Sequence, residues 1–233
     1  MSVIVTASDT FAATAAAHLA ELIQAAITVR GGCSIALCGG NTPRDVYRQL
    51  VGGPIDWSRV TIYFGDERAV PPDHSDSNFG MAQRTLLNAV PVSTDRIHRM
   101  KAERADIDVA AREYDNLLPP RLGLLLLGMG SDGHTASLFP GSPAVAEARR
   151  RVVAVASPPP SAVPQLPRIT ITPLAIAAAR QIVVMVQGAS KAAMLKQVLE
   201  GADQPAIQPA QFARAGTWIV DPAVASALQS RDS

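Results

Sequence analysis

An aliphatic run that stops dead at glycine constrains this chain more than any other feature. Leu122-Gly-Leu-Leu-Leu-Leu-Gly-Met-Gly-Ser-Asp-Gly-His-Thr-Ala-Ser-Leu-Phe-Pro-Gly141 passes from apolar residues to Gly128, Gly130 and Gly133 and brings Asp132 and His134 to the same point. Strands buried on both faces of a parallel sheet read as such runs, and ligands gather at their carboxyl ends. A site is therefore expected here, built from Cβ-poor backbone, a carboxylate and an imidazole. The three glycines also satisfy G-x-G-x-x-G, but a dinucleotide fingerprint needs a helix at the third glycine and an acid about 20 residues on. Pro140 and Gly141 break any such helix, and the next strand candidate ends in Ser157-Pro158 without an acid. Nicotinamide binding is disfavoured, and a glycine-flanked histidine at a strand end suits acid–base work better than a core role.

The remainder of the chain supplies a scaffold for that strand. Its 233 residues suit one large domain, 1–233, and 48% hydrophobic residues with only 4% aromatics imply a core of Ala, Val, Leu and Ile. A net charge of +1, from 21 basic and 20 acidic residues with no basic run, argues against nucleic acid or an anionic membrane as partner. Cys33 and Cys38 have no second pair to complete a metal site, and strand geometry would hold them apart, so two buried thiols in a reducing compartment are expected. No cationic segment precedes a long apolar core near Met1, and uninterrupted apolar runs are too short to span a bilayer, so a cytoplasmic protein is expected.

Strand and helix signals alternate nearly throughout. Strands are expected over Ser2–Thr6, Ser34–Cys38, Val60–Phe64, Leu122–Leu127, Val152–Ala156, Arg168–Thr172, Ile182–Gln187 and Trp218–Val220. Helices are expected from an Asp9 or Thr10 cap to Val29, closed by Gly31-Gly32, and then over Pro43–Leu50, Phe79–Leu87, Asp106–Leu118 and Ser190–Leu199, with a last one from Pro222. Gly65–Asn78 reads as a polar loop and Ser157–Pro167 as a Pro-rich one. Repeated βα units imply an α/β fold with a mostly parallel sheet and helices on both faces.

Other strand ends repeat the pattern. Gly39, Gly40, Asn41 and Thr42 open directly into a helix at Pro43, a ready anion cradle suited to phosphate. Asp66, Glu67 and Arg68 follow the third strand, and Arg68 offers a planar fork for phosphate or carboxylate. Asp73, His74 and Asp76 match no familiar metal-ligand spacing and read as a solvated loop. Lys191, in Gly188-Ala-Ser-Lys191, sits where an anion would bind. Arg168 is the weakest candidate by local pattern.

Gly-Gly-Asn-Thr-Pro43, Gly-Asp-Glu-Arg-Ala-Val-Pro71 with Asp76-Ser-Asn78, and Gly-Met-Gly-Ser-Asp-Gly-His-Thr-Ala-Ser-Leu-Phe139 resemble the signatures of the 6-phosphogluconolactonase family, grouped with glucosamine-6-phosphate isomerases. Arg168-Ile-Thr-Ile-Thr172, Gly188–Lys191 and Trp218-Ile-Val-Asp221 are similar too, so the resemblance spans nearly the whole chain. It implies a Rossmann-like fold shared with glucosamine-6-phosphate deaminase and ribose-5-phosphate isomerase. It also implies hydrolysis of 6-phosphoglucono-1,5-lactone in the oxidative pentose phosphate pathway, with no cofactor and no metal. The deaminase segment continues past Gly-His through Ile-Ala-Phe-Asn-Glu-Pro, whereas Gly133-His134 leads here to Thr135-Ala-Ser-Leu-Phe-Pro140 without that acid. Asn41 departs from the family's usual serine, keeping hydrogen-bonding capacity in a bulkier side chain.

The chemistry expected is water attack on a lactone carbonyl. His134 would act as the base, Asp132 would orient it or a sugar hydroxyl, and glycine-loop N–H groups, with Gly130 and Gly133 among the binding residues, would face the oxyanion. Gly39–Thr42, Arg68, Arg168 and Lys191 would hold the phosphate. Arg68 is the alternative partner of the oxyanion. A monomer or weak dimer is expected. A sugar-phosphate sensor on the same fold is the competing class, but such regulators carry a helix-turn-helix and a basic face, and neither is apparent here.

Overall fold

The computed structural model describes residues 1–229. Its strands are β1 (Ser2–Val5), β2 (Cys33–Leu37), β3 (Val60–Phe64), β4 (Asp66–Arg68), β5 (Leu124–Leu127), β6 (Val152–Val155), β7 (Arg168–Ile171), β8 (Ile182–Val186) and β9 (Thr217–Val220). Its α-helices are α1 (Phe11–Arg30), α2 (Asn41–Leu50), α3 (Asn78–Ala82), α4 (Ile107–Leu117), α5 (Pro173–Ala178), α6 (Ala192–Glu200) and α7 (Pro222–Ala225). Six strands form one sheet in the order β1-β9-β8-β5-β2-β3. Every pairing within it is parallel.

The pleat of β5 shows how the sheet feeds two cores. Side chains of successive strand residues point to opposite faces. Leu124 and Leu126 pack with Phe11, Leu19 and Ile23 of α1 and Tyr47 and Leu50 of α2. Leu125 and Leu127 pack on the other face with Tyr114 of α4, Leu195 and Val198 of α6, and Trp218. A strand greasy on both sides needs helices on both sides, and the chain supplies them. The α/β architecture implied by the alternation of signals is the one observed.

Helix α1 buries Phe11, Ala15, Leu19, Ile23 and Ile27, each four residues after the last, which is one stripe of a helix facing a core. Gly31 ends it at φ 77° and donates its N–H to the Ile27 carbonyl. On length and composition alone this helix is apolar enough to cross a bilayer, with a mean hydropathy of 1.3 over its best window. Isolated polar residues such as His18 and Glu21 divide its apolar stretch into short runs. The stripe packed against the sheet accounts for the hydropathy as a core face.

Three local departures from the pattern have physical causes. Asp66–Arg68 is not loop but β4, which pairs antiparallel with β7 and joins β6 in a second sheet of order β4-β7-β6. Ile169, Ile171, Val153 and Val155 of that sheet complete the core around Leu125 and Leu127. The helix expected over Phe79–Leu87 is α3 followed by a π-turn, Gln83–Leu87. There the Thr85 hydroxyl bonds the Met81 carbonyl at 2.8 Å, inserting a side chain where the ladder would run. The short α5, led by Pro173, has too few turns to leave a periodic signal.

Asp106 caps α4 through the Val109 N–H at 2.9 Å. Cys33 and Cys38 are free and buried. Burial pushes their thiols up to about 11 and about 12, so both stay protonated. The Tyr114 hydroxyl, fully buried, accepts the Phe64 N–H at 2.8 Å and donates to the His98 carbonyl at 3.2 Å, pinning the end of β3 to α4. Tyr114→Phe leaves both groups unpaired. It should destabilise the protein by about 1–3 kcal/mol, read as a lower urea midpoint at unchanged m-value.

Candidate active site

The chain runs from β2 outward to β3, then returns to the other side of β2 as β5 before continuing to β8 and β9. Strand order reverses between β2 and β5, and in open α/β sheets the crevice at such a reversal is the usual ligand site. A cavity of about 240 Å³ lies there. Gly39–Thr42 enter it from the end of β2, Asp66 and Arg68 from β4, Gly128, Gly130 and His134 from the end of β5, Arg168 from β7 and Lys191 from beyond β8.

Two glycines are dictated by contact. A Cβ on Gly39 would lie 1.8 Å from the Asn78 amide oxygen, and one on Gly130 would lie 2.2 Å from the His134 ring. Gly130 is therefore the floor on which the imidazole rests. Asp132 Oδ1 meets His134 Nδ1 at 2.5 Å and also accepts the His134 N–H at 3.1 Å. A carboxylate on Nδ1 fixes that nitrogen as the donor and leaves Nε2 as the free base. Burial raises the Asp132 carboxyl, but the bond and charge of His134 outweigh it, holding the acid below its ordinary range. Asp132 is not among the residues that line the cavity, and it adjoins the lining through its contact with the His134 ring.

Gly133 also stands outside the residues that line the cavity. At φ 81° it turns the chain, its N–H donates to the Gly130 carbonyl and its carbonyl accepts from Ala210. The Gly130 N–H is likewise engaged, by the His134 carbonyl at 2.9 Å. These two N–H groups are occupied within the loop, which removes them as oxyanion donors.

Ala136 lines the cavity at φ 47°, a left-handed conformation that costs a non-glycine residue on the order of 1 kcal/mol or more. Bonds from Thr135 Oγ1 to the Gly128 carbonyl (2.8 Å) and from the Ser137 N–H to Thr170 Oγ1 (3.0 Å) hold it. Neither this strain nor its ties leave a mark in the sequence.

Three cations face one carboxylate across the cavity. Arg68 donates from Nη1 to the Asp76 carbonyl at 2.6 Å, and its buried Nε has no partner. Arg168, only 3% exposed, donates from Nη2 to the Pro164 carbonyl at 2.7 Å, and its Nε is also unpartnered. The residue weakest by local pattern is thus the most deeply placed cation. The antiparallel pairing of β4 with β7 puts it there, opposite Arg68. Burial lowers the proton affinity of the guanidinium, and Asp66 offsets part of that loss. Burial alone lowers the Lys191 ammonium. Unpartnered donors and desolvated cations describe a cavity waiting for an anion.

Asp66 is the single acid in the lining and is buried. Its Oδ2 accepts from Ser137 Oγ at 2.6 Å and lies 4.0 Å from Arg168 Nη1, while Oδ1 accepts from Asn78 Nδ2 at 3.0 Å. Glu67 points away from the cavity and caps α3, accepting the Asn78 and Phe79 N–H groups at 2.7 Å each. Burial raises its carboxyl against those bonds. Ser137, Asn78 and Phe139 were missing from the candidates because they act by supporting other side chains. The Phe139 ring lies 5.0 Å from the His134 ring and 5.5 Å from the Arg168 Cζ. His74 accepts the Asp76 N–H at its exposed loop, and among the described residues no three His, Cys, Asp or Glu side chains gather as a metal set.

Residues 6–220 match the family model for glucosamine-6-phosphate isomerases/6-phosphogluconolactonase. The chain belongs to this family. A curated relative from Mycobacterium tuberculosis, named 6-phosphogluconolactonase, is 38% identical over 244 residues covering 96% of each chain. The solved 6-phosphogluconolactonase of Trypanosoma brucei superposes at a TM-score of 0.87, with 28% identity over 98% of each chain. A monomeric glucosamine-6-phosphate deaminase shares the fold at a TM-score of 0.82 and 22% identity.

Gly130→Ala tests the seat of the imidazole. The new Cβ must push His134 off Asp132, so the downfield Nδ1–H resonance should vanish from the proton NMR spectrum. A displacement of that size should cost family turnover about 10²-fold with little change in melting temperature.

Proposed function

We propose that this protein is a 6-phosphogluconolactonase, hydrolysing 6-phospho-D-glucono-1,5-lactone to 6-phospho-D-gluconate. On this reading it works as one cytoplasmic domain at the second step of the oxidative pentose phosphate pathway. The observation that carries the reading is the Asp132–His134 pair on the wall of a cavity otherwise dominated by cations. The names of the relatives support the reaction.

The lactone C1 is already electrophilic, so the protein must activate water, steady an oxyanion and protonate the departing ring oxygen. His134 Nε2 removes a proton from water as its oxygen bonds to C1. The carbonyl π electrons move to oxygen, and Asp132 steadies the imidazolium. When the tetrahedral species collapses, the C1–ring-oxygen bond breaks and the same Nε2–H protonates that oxygen, restoring neutral imidazole. The unpartnered Nε of Arg68 is the donor assigned to the oxyanion, in place of the occupied glycine N–H groups.

The phosphate falls to the opposite side. Asn41 and Thr42 begin α2, where helix N–H groups have no intrahelical acceptor, and Pro43 has none to satisfy. Lys191 and Arg168 add charge. Binding energy gathered there is used to position C1 against water.

His134→Ala should lower kcat by about 10²–10⁴ while leaving the fold intact, measured against the spontaneous hydrolysis rate. A variant turning over at the wild-type rate would remove His134 from the mechanism. A wild-type rate no faster than spontaneous would leave a sugar-phosphate sensor as the better reading.

Unphosphorylated gluconolactone should have a kcat/KM lower by orders of magnitude, since each lost charge-assisted hydrogen bond costs roughly 1.5–3 kcal/mol. Lys191→Ala should hurt the phosphorylated lactone far more than the plain one. Arg68→Ala should lower kcat for both.

A further inference from the structure

Beside the catalytic cavity, and sharing Gly40, Asn41, Arg68, Asn78 and Val163 with it, runs a second and larger groove of about 570 Å³. Arg44, Arg48, Arg68 and Arg84 line it against one carboxylate, Asp76. The chain as a whole carries only +1, so this is a local concentration of charge. Arg44 and Arg48 stand four residues apart on α2, on one face about one turn apart. The Nε of Arg68 is buried without a hydrogen-bond partner, and that of Arg44 has only Asp45 Oδ1 at 3.6 Å. Asp45 engages Arg48 at 2.7 Å and lies 3.6 Å from Arg44, while Arg84 pairs with no acid among the described residues. Met81, Pro164 and the 85%-exposed Val163 add apolar surface to the same lining.

We propose that this groove binds a nucleotide polyphosphate, with its linked phosphates along the arginines and its base against Val163, Pro164 and Met81. A single phosphate already has a place at the α2 N-terminus. A row of guanidinium forks along a helical turn fits two or three linked phosphates, each fork matching phosphate oxygens in pairs. The volume exceeds that of the sugar-phosphate cavity, and the apolar surface gives a planar base something to cover. Because the two sites share the wall from Gly40 to Arg68, nucleotide and lactone compete. The lactonase would thereby sense the cell's phosphorylated nucleotides through its own substrate mouth.

The site stands independently of the lactonase reading, since binding is measured directly. Calorimetry with ATP, inorganic pyrophosphate and adenosine on the wild-type protein should give binding for ATP, weaker binding for pyrophosphate and none for adenosine. Arg48→Ala/Arg84→Ala should weaken ATP on the order of tenfold or more and leave lactone kcat/KM unchanged. Arg84→Glu should weaken it further, and circular dichroism checks that each variant is folded. ATP should raise the KM for lactone without lowering kcat. Absence of ATP binding at millimolar concentration overturns the proposal. So does equal affinity in a folded variant, which would put ATP in the catalytic cavity. ATP binding no tighter than pyrophosphate overturns the assignment of the base.

Discussion

The site depends on one buried carboxylate. Asp66 is buried, and a buried carboxyl group is tolerable only when its oxygens are bonded or paired. Its partners come from three separate segments: Ser137 from the loop after β5, Asn78 from the start of α3, and Arg168 from β7. Satisfying one buried carboxyl group therefore brings together three stretches of chain distant in sequence. The small antiparallel sheet serves the same end, since the β4–β7 pairing sets Asp66 and Arg168 on neighbouring strands.

Around that anchor the cavity divides into two chemistries. One side carries the Asp132–His134 pair, where a carboxylate fixes the tautomer. The lining also carries Arg68, Arg168 and Lys191, and the Nε of each arginine lacks a partner. Only the ends of the strands were left for either purpose, because helices and the small sheet cover both faces of β5 and β8.

Most of the scaffold was legible in the residues. Buried parallel strands announce themselves as apolar runs, glycine closes α1, and Asp106 caps α4, all of which are local effects. The cradle at Gly39–Thr42 and the pair Asp132 and His134 were legible for the same reason, since each lies within a few residues of a strand end. What escaped was non-local. The extension of Asp66–Arg68 into a strand needs β7, about a hundred residues later, to pair with it. The depth of Arg168 follows from that pairing. The supporting roles of Ser137, Asn78 and Phe139 exist only once distant segments meet.

The shared ring of Phe139 gives the two halves of the cavity a common mechanical part. It touches the His134 imidazole on one hand and the Arg168 guanidinium on the other, although those two groups do different work. Residues joined through a common neighbour do not behave additively. Paired substitutions at His134 and Arg168 would thus show an interaction energy without direct contact between them, carried by a side chain with no chemistry of its own. For anyone reshaping this pocket toward another ligand, the wall at His134 and the wall at Arg168 are a single design variable.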